Sequence, residues 1–513
     1  MKRLLIVLLA ACLPLILQAR LHLGGVFSDN MVLQRDKPVA VWGTADPEAA
    51  VEVRFGSQRV KGRADADGNW SLTLAPMAAN AAPQTLTVRS GRERKVFRNV
   101  LVGEVWIASG QSNMEYNMGP VWRSGSANKV DRPERGPGIQ EEEFRRADLP
   151  LLRALIVEKV LDTDSLPTRG WQRITPETIA PVSAAAYFFA KNLIDSLQVP
   201  VGILETCWGG TRIETWMPLE AVEADPVFSP GLKDGSYDGE PVGLRYDRMV
   251  REMVPYTLRG MIWYQGESNL IAGNTDKYAA MQALLVRSWR KAWGDDFPFY
   301  FVQLAPYRYS QRRGDRHVST WEDLPRFWAQ QEQSLSLIPH SGMAMVCDLV
   351  DNLSDIHPTY KWELGRRLAL QALIDTYGRG DLVADGPRVV GVSAEGPVVT
   401  VEFDQPLSTT DAQLPRHFRL AGSTGRYYEP TDIRLEGTRV ILSNPERVKE
   451  PVEVRYAWDE AAVTNLCGLQ GLPARQFSAT VSVTIFEGAH EQLPGALKLI
   501  SSQRIHGHQH QEY

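Results

Sequence analysis

The order of hydrophobic and polar positions changes twice along the chain and so predicts three folded regions. Between residues 21 and 100, short stretches alternate apolar and polar residues, and turn residues such as Asp67-Gly68-Asn69 separate them. This alternation is typical of strands with one buried face. The predicted strands are 39–43, 51–55, 70–74 and 84–89. Their short spacing predicts a small N-terminal β-sandwich over residues 21–100.

The middle region, residues 101–382, alternates apolar strand-like runs with segments of helical periodicity. The predicted strands are 102–108, 199–207, 257–264, 299–304 and the end of 338–347, and the predicted helices are 184–197, 277–293 and 359–377. Strands that alternate with helices form a parallel sheet covered on both faces, so the predicted fold class is α/β. Ligands of such sheets bind beyond the carboxyl ends of the strands.

After residue 383 the β pattern returns. The predicted strands of this region are 388–392, 398–403, 439–442 and 452–456. We therefore expect a C-terminal β module over residues 383–490, followed by a tail over 491–513. In this arrangement the central α/β region carries the chemistry and the two β modules flank it.

The first twenty residues have the composition of a secretory signal. Met1-Lys2-Arg3 supplies positive charge, Leu4 to Leu17 forms an apolar run, and Ala19 offers a small residue for cleavage. The run is too short to span a bilayer comfortably, so we expect a signal peptide over residues 1–20 and export to the periplasm or medium. Lipid anchoring at Cys12 is the less favoured alternative. No later segment has the length and apolarity of a membrane span.

Composition and charge narrow the class of protein. Hydrophobic residues make up 43% and charged residues 23%, which fits a soluble globular chain. A net charge of −5 gives no basic surface for nucleic acid. After the signal, Cys207, Cys347 and Cys467 form neither an even disulfide framework nor a zinc-ligand spacing, so we expect buried thiols and no metal site.

Four polar motifs stand directly after apolar runs of the middle region. They are Ser109 to Glu115, Cys207 to Thr211, Trp263 to Asn269, and Asp355 to Pro358. Taken alone, Ser112 fits a helix N-cap as well as a nucleophile, and His357 fits a surface histidine as well as a base. Together the motifs supply a nucleophile, a base with an acid two residues before it, and glycines for an oxyanion site. This combination predicts an ester hydrolase.

The motifs resemble those of the SGNH (GDSL-like) hydrolases, specifically the sialate O-acetylesterase branch and related bacterial carbohydrate acetylesterases. The matching segments are 27–34, 103–115, 183–193, 200–216, 260–269 and 355–367. The resemblance implies the fold of the SGNH hydrolases, a three-layer sandwich with a central parallel sheet. It also implies an acetylated carbohydrate as substrate and a reaction that needs no cofactor.

The resemblance also implies roles for individual residues. Ser112 attacks the acetyl carbonyl, His357 transfers the proton, and Asp355 orients the histidine. The backbone N–H groups of Ser112 and Gly210 hold the oxyanion, together with a side chain of the third motif.

Two of these roles have alternatives. SGNH enzymes often place the acid three residues before the histidine rather than two, so Asp348 or Asp351 could orient His357 instead of Asp355. The third oxyanion donor is Gln265 or Asn269, and Gln265 is favoured because it follows the strand directly.

Substrate contacts are expected around the same motifs. The candidate residues are Glu267, Arg212, Trp208 and Tyr264. Tyr116 and Tyr307 are further candidates for stacking on a sugar, although core packing is the simpler interpretation for most of these rings. Arg212 fits the carboxylate of a sialic acid, or an ion pair with Glu214 or Glu267. The glycine-rich segment between Trp216 and Pro255 is predicted to be a loop near the site.

Three other functions compete with a sialate esterase. An acetylesterase for hemicellulose (xylan, xyloglucan or mannan) would use the same residues. A lipase or thioesterase would need a long apolar groove, which the polar, tryptophan-rich motifs do not favour. A non-catalytic sugar-binding protein would fit the flanking β modules but not a complete set of nucleophile, base and acid.

Overall fold

The computed structural model describes residues 21–119, 139–163, 165–312 and 317–483. The predicted signal peptide with Cys12 and the predicted tail lie outside these residues. Within the described ranges, no helix has both the length and the apolarity that a membrane crossing requires.

The N-terminal region consists of short strands in two layers. They are β1 (His22–Leu23), β2 (Val32–Gln34), β3 (Val39–Thr44), β4 (Ala50–Phe55), β5 (Gln58–Arg63), β6 (Asn69–Leu74) and β7 (Asn80–Ser90). Strands β1, β3 and β6 form one sheet, while β4, β5 and β7 belong to another. All four strands expected from the sequence are present, and β5 was missed because none of its residues is fully buried.

A single long strand joins this region to the middle of the molecule. Strand β8 (Glu93–Gly110) pairs antiparallel with β7 through its first part and belongs to the central sheet through its second part. Residues 93–99 are at least partly exposed, whereas every residue from Val100 to Gly110 is buried. The boundary expected after residue 100 therefore falls inside a continuous strand.

The central sheet is large and mixed. Besides β8 it contains β9 (Leu149–Ile156), β10 (Gln172–Ile174), β11 (Val201–Cys207), β15 (Gly260–Tyr264), β16 (Phe299–Val302) and β17 (Ser341–Ala344). Between β11 and β15 in the chain, the strands β12 (Leu232–Lys233), β13 (Ser236–Tyr237) and β14 (Glu240–Pro241) form a small separate sheet. The spatial order is β10-β9-β11-β8-β15-β16-β17. Every neighbouring pair is parallel except β9 and the edge strand β10. The parallel core was expected, but the antiparallel edge and the link to β7 make the whole sheet mixed.

Helices cover both faces of the central sheet. They are α1 (Ser112–Glu115), α2 (Ile139–Arg145), α3 (Ala184–Leu197), α4 (Leu219–Glu223), α5 (Glu267–Ala272), α6 (Tyr278–Trp293), α7 (Asp323–Leu337) and α8 (Lys361–Asp375). Trp106 of β8 packs on Phe189 of α3, with ring centroids 5.1 Å apart. Trp263 of β15 lies opposite Ser109, on the other face of the sheet, and packs on Trp216. The Trp216 carbonyl accepts a hydrogen bond from Trp289 of α6.

The segment between Trp216 and Pro255 has more structure than the expected loop. It contains α4, the three-stranded sheet of β12, β13 and β14, and a π-helical turn over Tyr246–Val250. The backbone N–H of Gly243 donates to the Glu214 carbonyl, which connects the segment to the turn that follows the second motif. Its elements are too short to show a hydrophobic period, so the sequence pattern did not reveal them.

In the described part of the C-terminal region, residues 383–483, the regular elements are all β-strands. They are β18 (Val389–Glu395), β19 (Val398–Phe403), β20 (Leu407–Thr409), β21 (Phe418–Ala421), β22 (Tyr427–Tyr428), β23 (Asp432–Glu436), β24 (Arg439–Ser443), β25 (Glu453–Tyr456), β26 (Leu466–Gly468), β27 (Phe477–Thr480) and β28 (Ser482–Val483). They form sheets of five, four and two strands. Their buried apolar residues make up a separate hydrophobic cluster, whereas one cluster joins the N-terminal strands to the central sheet.

Candidate active site

Three parallel strands end at the same level, and this brings three of the polar motifs together. Gly110 at the end of β8 lies opposite Cys207 of β11 and opposite Tyr264 of β15. The residues that follow each strand therefore emerge side by side at the carboxyl edge of the sheet. This is the edge at which α/β proteins bind their ligands.

Gly110 makes the turn into the nucleophile motif. Its φ is +135°, and a Cβ at this position would lie 2.1 Å from the carbonyl oxygen of Tyr264 on the neighbouring strand. Only glycine fits such a close approach. The chain then turns, and Ser112 begins α1 directly above the strand ends.

Ser112, His357 and Asp355 have the geometry of a catalytic triad. The Oγ of Ser112 lies 2.9 Å from Nε2 of His357. On the far side of the ring, Oδ1 of Asp355 lies 3.5 Å from Nδ1, and the same oxygen accepts a hydrogen bond from the backbone N–H of His357 at 2.9 Å. All three residues are half-buried, so they remain open to a ligand. The loop of residues 351–358 thus brings the fourth motif to the nucleophile.

The two other candidate acids occupy different places. Asp348 is 3% exposed and binds Arg367 through both carboxylate oxygens, at 2.6 and 2.8 Å. Both residues are buried, and the Asp348 carboxylate next to it helps to raise the pKa of Arg367. Asp348 is therefore occupied as an ion-pair partner. Asp351 is half-buried at the start of the loop that carries His357.

The glycine pair of the second motif runs alongside the nucleophile. A Cβ at Gly209 would lie 3.2 Å from Cβ of Ser112, and the Gly209 N–H donates to Oε2 of Glu115 at 2.6 Å. Gly210 follows with a φ of +75° and is exposed. The Ser112 N–H is the first of α1, a position without an acceptor inside the helix. The backbone N–H groups of Ser112 and Gly210 are thus available geometrically for an oxyanion.

The side chains expected to complete the oxyanion site are engaged elsewhere. Gln265 is fully buried, and its Nε2 donates to Oδ1 of Asn269 at 2.7 Å and to the Thr211 carbonyl at 3.1 Å. Asn269 is equally buried and donates to Oε2 of Glu214 at 2.9 Å. In this structure both amides connect the second motif to the third, so the choice between Gln265 and Asn269 as a third oxyanion donor stays a prediction.

Two of the expected substrate contacts also lie too deep. Tyr264, the last residue of β15, is fully buried. Glu267 is 2% exposed, and its Oε1 accepts a hydrogen bond from Asn113. Neither side chain lines an open surface in this structure, so a substrate contact by Tyr264 or Glu267 stays a prediction. Tyr116, a further stacking candidate, is also buried in the core, as the simpler interpretation of these rings predicted.

Trp208 and Arg212 stay at the rim of the site. Trp208 is half-buried, and the Arg245 guanidinium lies 5.0 Å from its ring centroid. Arg212 donates to Oε1 of Glu214 at 2.5 Å, which is one of the ion pairs that the sequence suggested for it. Tyr307 is half-buried on the loop after β16.

Sequence reasoning missed the side chains on either side of the nucleophile. Oε1 of Gln111 accepts hydrogen bonds from the backbone N–H groups of Gly266 and Ser268, at 3.3 and 3.2 Å, and so holds the third motif. Asn113 bonds to Glu267 and to Lys361. The only signal in the sequence was the run of polar residues around Ser112, in a segment that ends an apolar strand.

An acidic and a basic side chain are buried behind Ser112. Burial raises the pKa of Glu267, and the hydrogen bond from Asn113 opposes this effect. Burial also lowers the pKa of Lys361 to about 7, although the nearby carboxylates of Glu267 and Asp355 favour its charged form. Ionisable groups that are perturbed in this way are common at functional sites.

The chain can also be compared with known proteins. The sequence profile of the family described as "Carbohydrate esterase, sialic acid-specific acetylesterase" matches residues 102–373. The sialate O-acetylesterase of Mus musculus is 26% identical over 527 residues, which is 89% of this chain and 94% of the mouse protein. The sialate O-acetylesterase of Homo sapiens is 29% identical over 419 residues, covering 74% of this chain and 76% of the human protein.

One solved structure resembles most of the chain. It is the crystal structure of a carbohydrate acetylesterase from Xanthomonas citri, with a TM-score of 0.76 and 31% sequence identity. The match covers 90% of this chain and 99% of that one. The similarity therefore extends over both β modules as well as the central sheet.

Among the residues that the structure describes, no group of three or more His, Cys, Asp or Glu side chains is arranged to hold a metal ion. Cys207, Cys347 and Cys467 are buried and form no disulfide among the described residues.

Proposed function

The chain belongs to the sialic acid-specific acetylesterase family of carbohydrate esterases and is a carboxylic ester hydrolase; from that premise we propose that it removes O-acetyl groups from sugars through an acetyl-enzyme on Ser112. The observation that carries the proposal is the 2.9 Å contact between Ser112 and His357 at the aligned strand ends. A nucleophile with its base in hydrogen-bond contact is what covalent ester hydrolysis requires.

In the first half of the reaction, His357 takes the proton of Ser112 while Oγ attacks the acetyl carbonyl carbon. The carbonyl oxygen becomes an oxyanion, which the N–H groups of Ser112 and Gly210 stabilise. Collapse of the tetrahedral intermediate breaks the bond to the sugar oxygen, and His357 protonates that oxygen as it leaves. Asp355 stabilises the imidazolium that exists between these two proton transfers.

In the second half, a water molecule attacks the acetyl-enzyme. His357 takes a proton from this water, the carbon–Oγ bond breaks, and the proton returns to Ser112. The products are acetate and a sugar with a free hydroxyl group. Each step uses the same base and the same oxyanion donors, so no further reacting group is needed.

We place O-acetylated sialic acid first among the sugars, because that specificity defines the family. The cations at the rim are consistent with an acidic sugar: Lys159 and Arg245 lie 5.9 and 5.0 Å from the Trp208 ring centroid. Arg245 has the longest ion pair there, 3.9 Å from Glu240, and is the best placed to receive a carboxylate. Acetylated hemicellulose is the second candidate, since the half-buried ring of Trp208 suits a neutral sugar too.

The organisation and location of the chain belong to the same proposal. We assign residues 101–382 to a catalytic domain of the SGNH type, because parallel strands covered by helices carry the triad in motif order. Residues 21–100 and 383–490 are assigned to the two β modules. The apolar N-terminal sequence supports removal of residues 1–20 as a signal peptide and a periplasmic or secreted enzyme.

The test is acetate release from a panel of substrates by the native protein and by Ser112→Ala. The panel comprises 4-nitrophenyl acetate, O-acetyl sialic acids and acetylated xylan. We expect Ser112→Ala to lower kcat by about 10⁴-fold or more on every active substrate, because the covalent route is closed. Ser336→Ala, on the exposed end of α7, is the matched control and should keep native activity. Native activity in Ser112→Ala would refute the serine mechanism. The rates of acetate release from O-acetyl sialic acids and from acetylated xylan decide which sugar is the substrate.

A further inference from the structure

A side chain on the helix of the proposed nucleophile holds the glycine turn of the second motif. The backbone N–H of Gly209 donates to Oε2 of Glu115 at 2.6 Å, and Oε1 of Glu115 accepts from Nζ of Lys159 at 2.6 Å. Glu115 is the last residue of α1, the helix that Ser112 begins. The hydrogen bond therefore connects the helix that carries Ser112 to the turn that carries Gly210.

The peptide unit between Trp208 and Gly209 is fixed at both of its polar groups. Its N–H is bonded to Glu115, and its carbonyl oxygen, that of Trp208, accepts a hydrogen bond from the Thr211 hydroxyl at 2.7 Å. Its surroundings are crowded, since a Cβ on Gly209 would lie 3.2 Å from both Oε2 of Glu115 and Cβ of Ser112. This peptide unit therefore has a set orientation beside the proposed nucleophile.

The next peptide unit, between Gly209 and Gly210, borders open space. Gly210 is exposed, and a Cβ added to it would meet no atom within 4 Å. This unit carries the Gly210 N–H, which the proposed mechanism uses for the oxyanion. Because each peptide unit is planar and consecutive units share one Cα, the orientation of the first unit limits the directions open to the second. The hydrogen bond to Glu115 therefore helps to set the direction of the Gly210 N–H.

The charge of Glu115 does not explain its position. A carboxylate close to a developing oxyanion raises the energy of the transition state, because like charges repel. Lys159 offsets part of this charge, but its side chain is 44% exposed, so water weakens the ion pair. A benefit to the reaction must therefore come from the hydrogen bond that Glu115 accepts, and not from its negative charge.

We propose that Glu115 is a positioning residue for the oxyanion site: it engages the N–H of Gly209 and so directs the neighbouring N–H of Gly210 toward the acetyl oxygen. The inference rests on the proposed serine esterase function. It assigns Glu115 no proton transfer, which remains with Ser112 and His357.

Three substitutions at this position separate the hydrogen bond from the charge. Glu115→Gln keeps the acceptor and removes the charge, Glu115→Asp keeps the charge but is shorter by one methylene, and Glu115→Ala removes both. With 4-nitrophenyl acetate we expect Glu115→Gln to retain kcat within about threefold, because its amide oxygen accepts the same N–H. Glu115→Asp and Glu115→Ala should each lower kcat by about 10²-fold, the loss that a misplaced oxyanion donor causes, with KM changed less than about twofold.

The affinity for methylboronic acid is the second measurement. Oγ of Ser112 bonds to boron, His357 takes the hydroxyl proton, and the anionic tetrahedral adduct places a boron-bound oxygen in the oxyanion site. Since such an adduct resembles the transition state, its inhibition constant should rise in parallel with the loss of kcat/KM across the three variants. A change that acts only on stability would leave this constant and kcat at native values in the folded protein.

Asp404→Ala is the matched control. Asp404, in the C-terminal module, also has a carboxylate that accepts a backbone N–H, that of Arg388 at 2.8 Å. The loss of this acceptor should lower the melting temperature and leave kcat, KM and the inhibition constant native. The melting temperature of each Glu115 variant is measured as well, so that a loss of stability is not mistaken for a loss of positioning.

The outcomes separate this inference from the proposed function. If Ser112→Ala is inactive while Glu115→Ala keeps native kcat and boronate affinity, the contact is only structural and the esterase proposal stands. If Glu115→Gln loses as much kcat as Glu115→Ala, the charge matters rather than the hydrogen bond, and the inference is overturned. If Glu115→Ala does not fold, Glu115→Gln and Glu115→Asp decide, and equal kcat values in these two overturn the inference. If Ser112→Ala keeps native activity, the esterase mechanism fails first and the inference falls with it.

Discussion

At the scale of single residues, the position of the proposed nucleophile depends on one glycine. Gly110 combines a φ of +135° with a backbone that approaches the Tyr264 carbonyl too closely for any side chain. Its neighbours add specific contacts, because Gln111 holds the third motif and Asn113 holds Glu267 and Lys361. The four residues from Gly110 to Asn113 therefore connect the end of β8 to the third motif after β15 and to the start of α8.

We expect Gly110→Ala to destabilise the protein by about 3 kcal/mol or more, since both the backbone angle and the contact with β15 are incompatible with a Cβ. Activity should fall with it, because Ser112 is displaced from His357. The free energy of unfolding in urea is the measurement.

Gly91→Ala is a suitable comparison for this substitution. Gly91 also has a positive φ, +56°, but a Cβ there would meet no atom within 4 Å. Gly91→Ala should lower the free energy of unfolding by only about 1 kcal/mol, which is the strain of a residue with a left-handed backbone. Equal losses of unfolding free energy in the two variants would show that the close approach to Tyr264 adds nothing to the destabilisation.

At the scale of elements, β11 and α3 share a buried carboxyl group. Oε2 of Glu205 accepts a hydrogen bond from the backbone N–H of Ser183, the residue that caps α3, at 2.9 Å. Burial raises the pKa of Glu205 from 4.5 to about 8. The folded protein therefore keeps Glu205 protonated at pH values where the unfolded chain has already ionised it.

This shift makes stability depend on pH, and the sign follows from proton linkage. The folded state binds the extra proton between pH 4.5 and about 8, so stability is greatest below this window and falls as pH rises through it. Glu205→Gln keeps the acceptor and removes the ionisation. We compare the free energies of unfolding of the variant and the native protein by chemical denaturation at pH 5.5 and at pH 7.5. The difference between them should change by about 2 kcal/mol in favour of the variant from the lower to the higher pH.

Glu177→Gln is the control for the pH experiment. Glu177 is exposed, and hydrogen bonds from Thr175 and from the backbone lower its pKa, so it is ionised in both states above pH 5. Its substitution should leave the pH dependence of stability native. A Glu205→Gln protein with the same pH dependence as the native chain would contradict the raised pKa.

Hydrophobic periodicity predicted the long elements well, and the polar residues after them marked the site. Helix α3 has the predicted bounds, and α6 and α8 differ from theirs by a residue or two at an end. Strand β9 and helix α7 were missed. The antiparallel edge of the sheet was also missed, because β10 has only three residues.

Side-chain pairing in the site could not be predicted in the same way. Gln265 and Glu267 stand in one short polar motif, and nothing in the sequence says which of them reaches the ligand. Their partners come from distant segments, such as Thr211 for Gln265 and Asn113 for Glu267. The outcome depends on which side chains meet after the strands align, and a one-dimensional pattern does not contain that information.

At the scale of the whole molecule, the two β modules relate differently to the central sheet. The N-terminal strands share β8 and one hydrophobic cluster with it. The C-terminal module has a cluster of its own and meets the centre through polar contacts and through Val463, which packs against the central cluster. Among these, Arg475 binds Glu332 at 3.1 Å, and Gln303 donates to Gln476 at 3.0 Å.

Two truncated chains should therefore behave differently. Residues 21–384 lack the C-terminal module and should still unfold in one cooperative transition at a reduced midpoint, because their cluster is complete. Residues 101–483 lack the first half of β8 and should not show a cooperative transition, because the shared cluster is cut. Both chains are measured by calorimetry. A cooperative transition in each of the two chains would refute the shared core.

The aligned ends of β8, β11 and β15 have a consequence for redesign. The reacting groups are placed by the register of three strands, and a slip of one residue would move Ser112 by about 3.3 Å and reverse the facing of its strand. The segment between Trp216 and Pro255 packs beside the site without belonging to that sheet. This segment, which carries Arg245, can vary without changing the strand register, so we expect substitutions in it to disturb the placement of Ser112 less than substitutions in the three strands do.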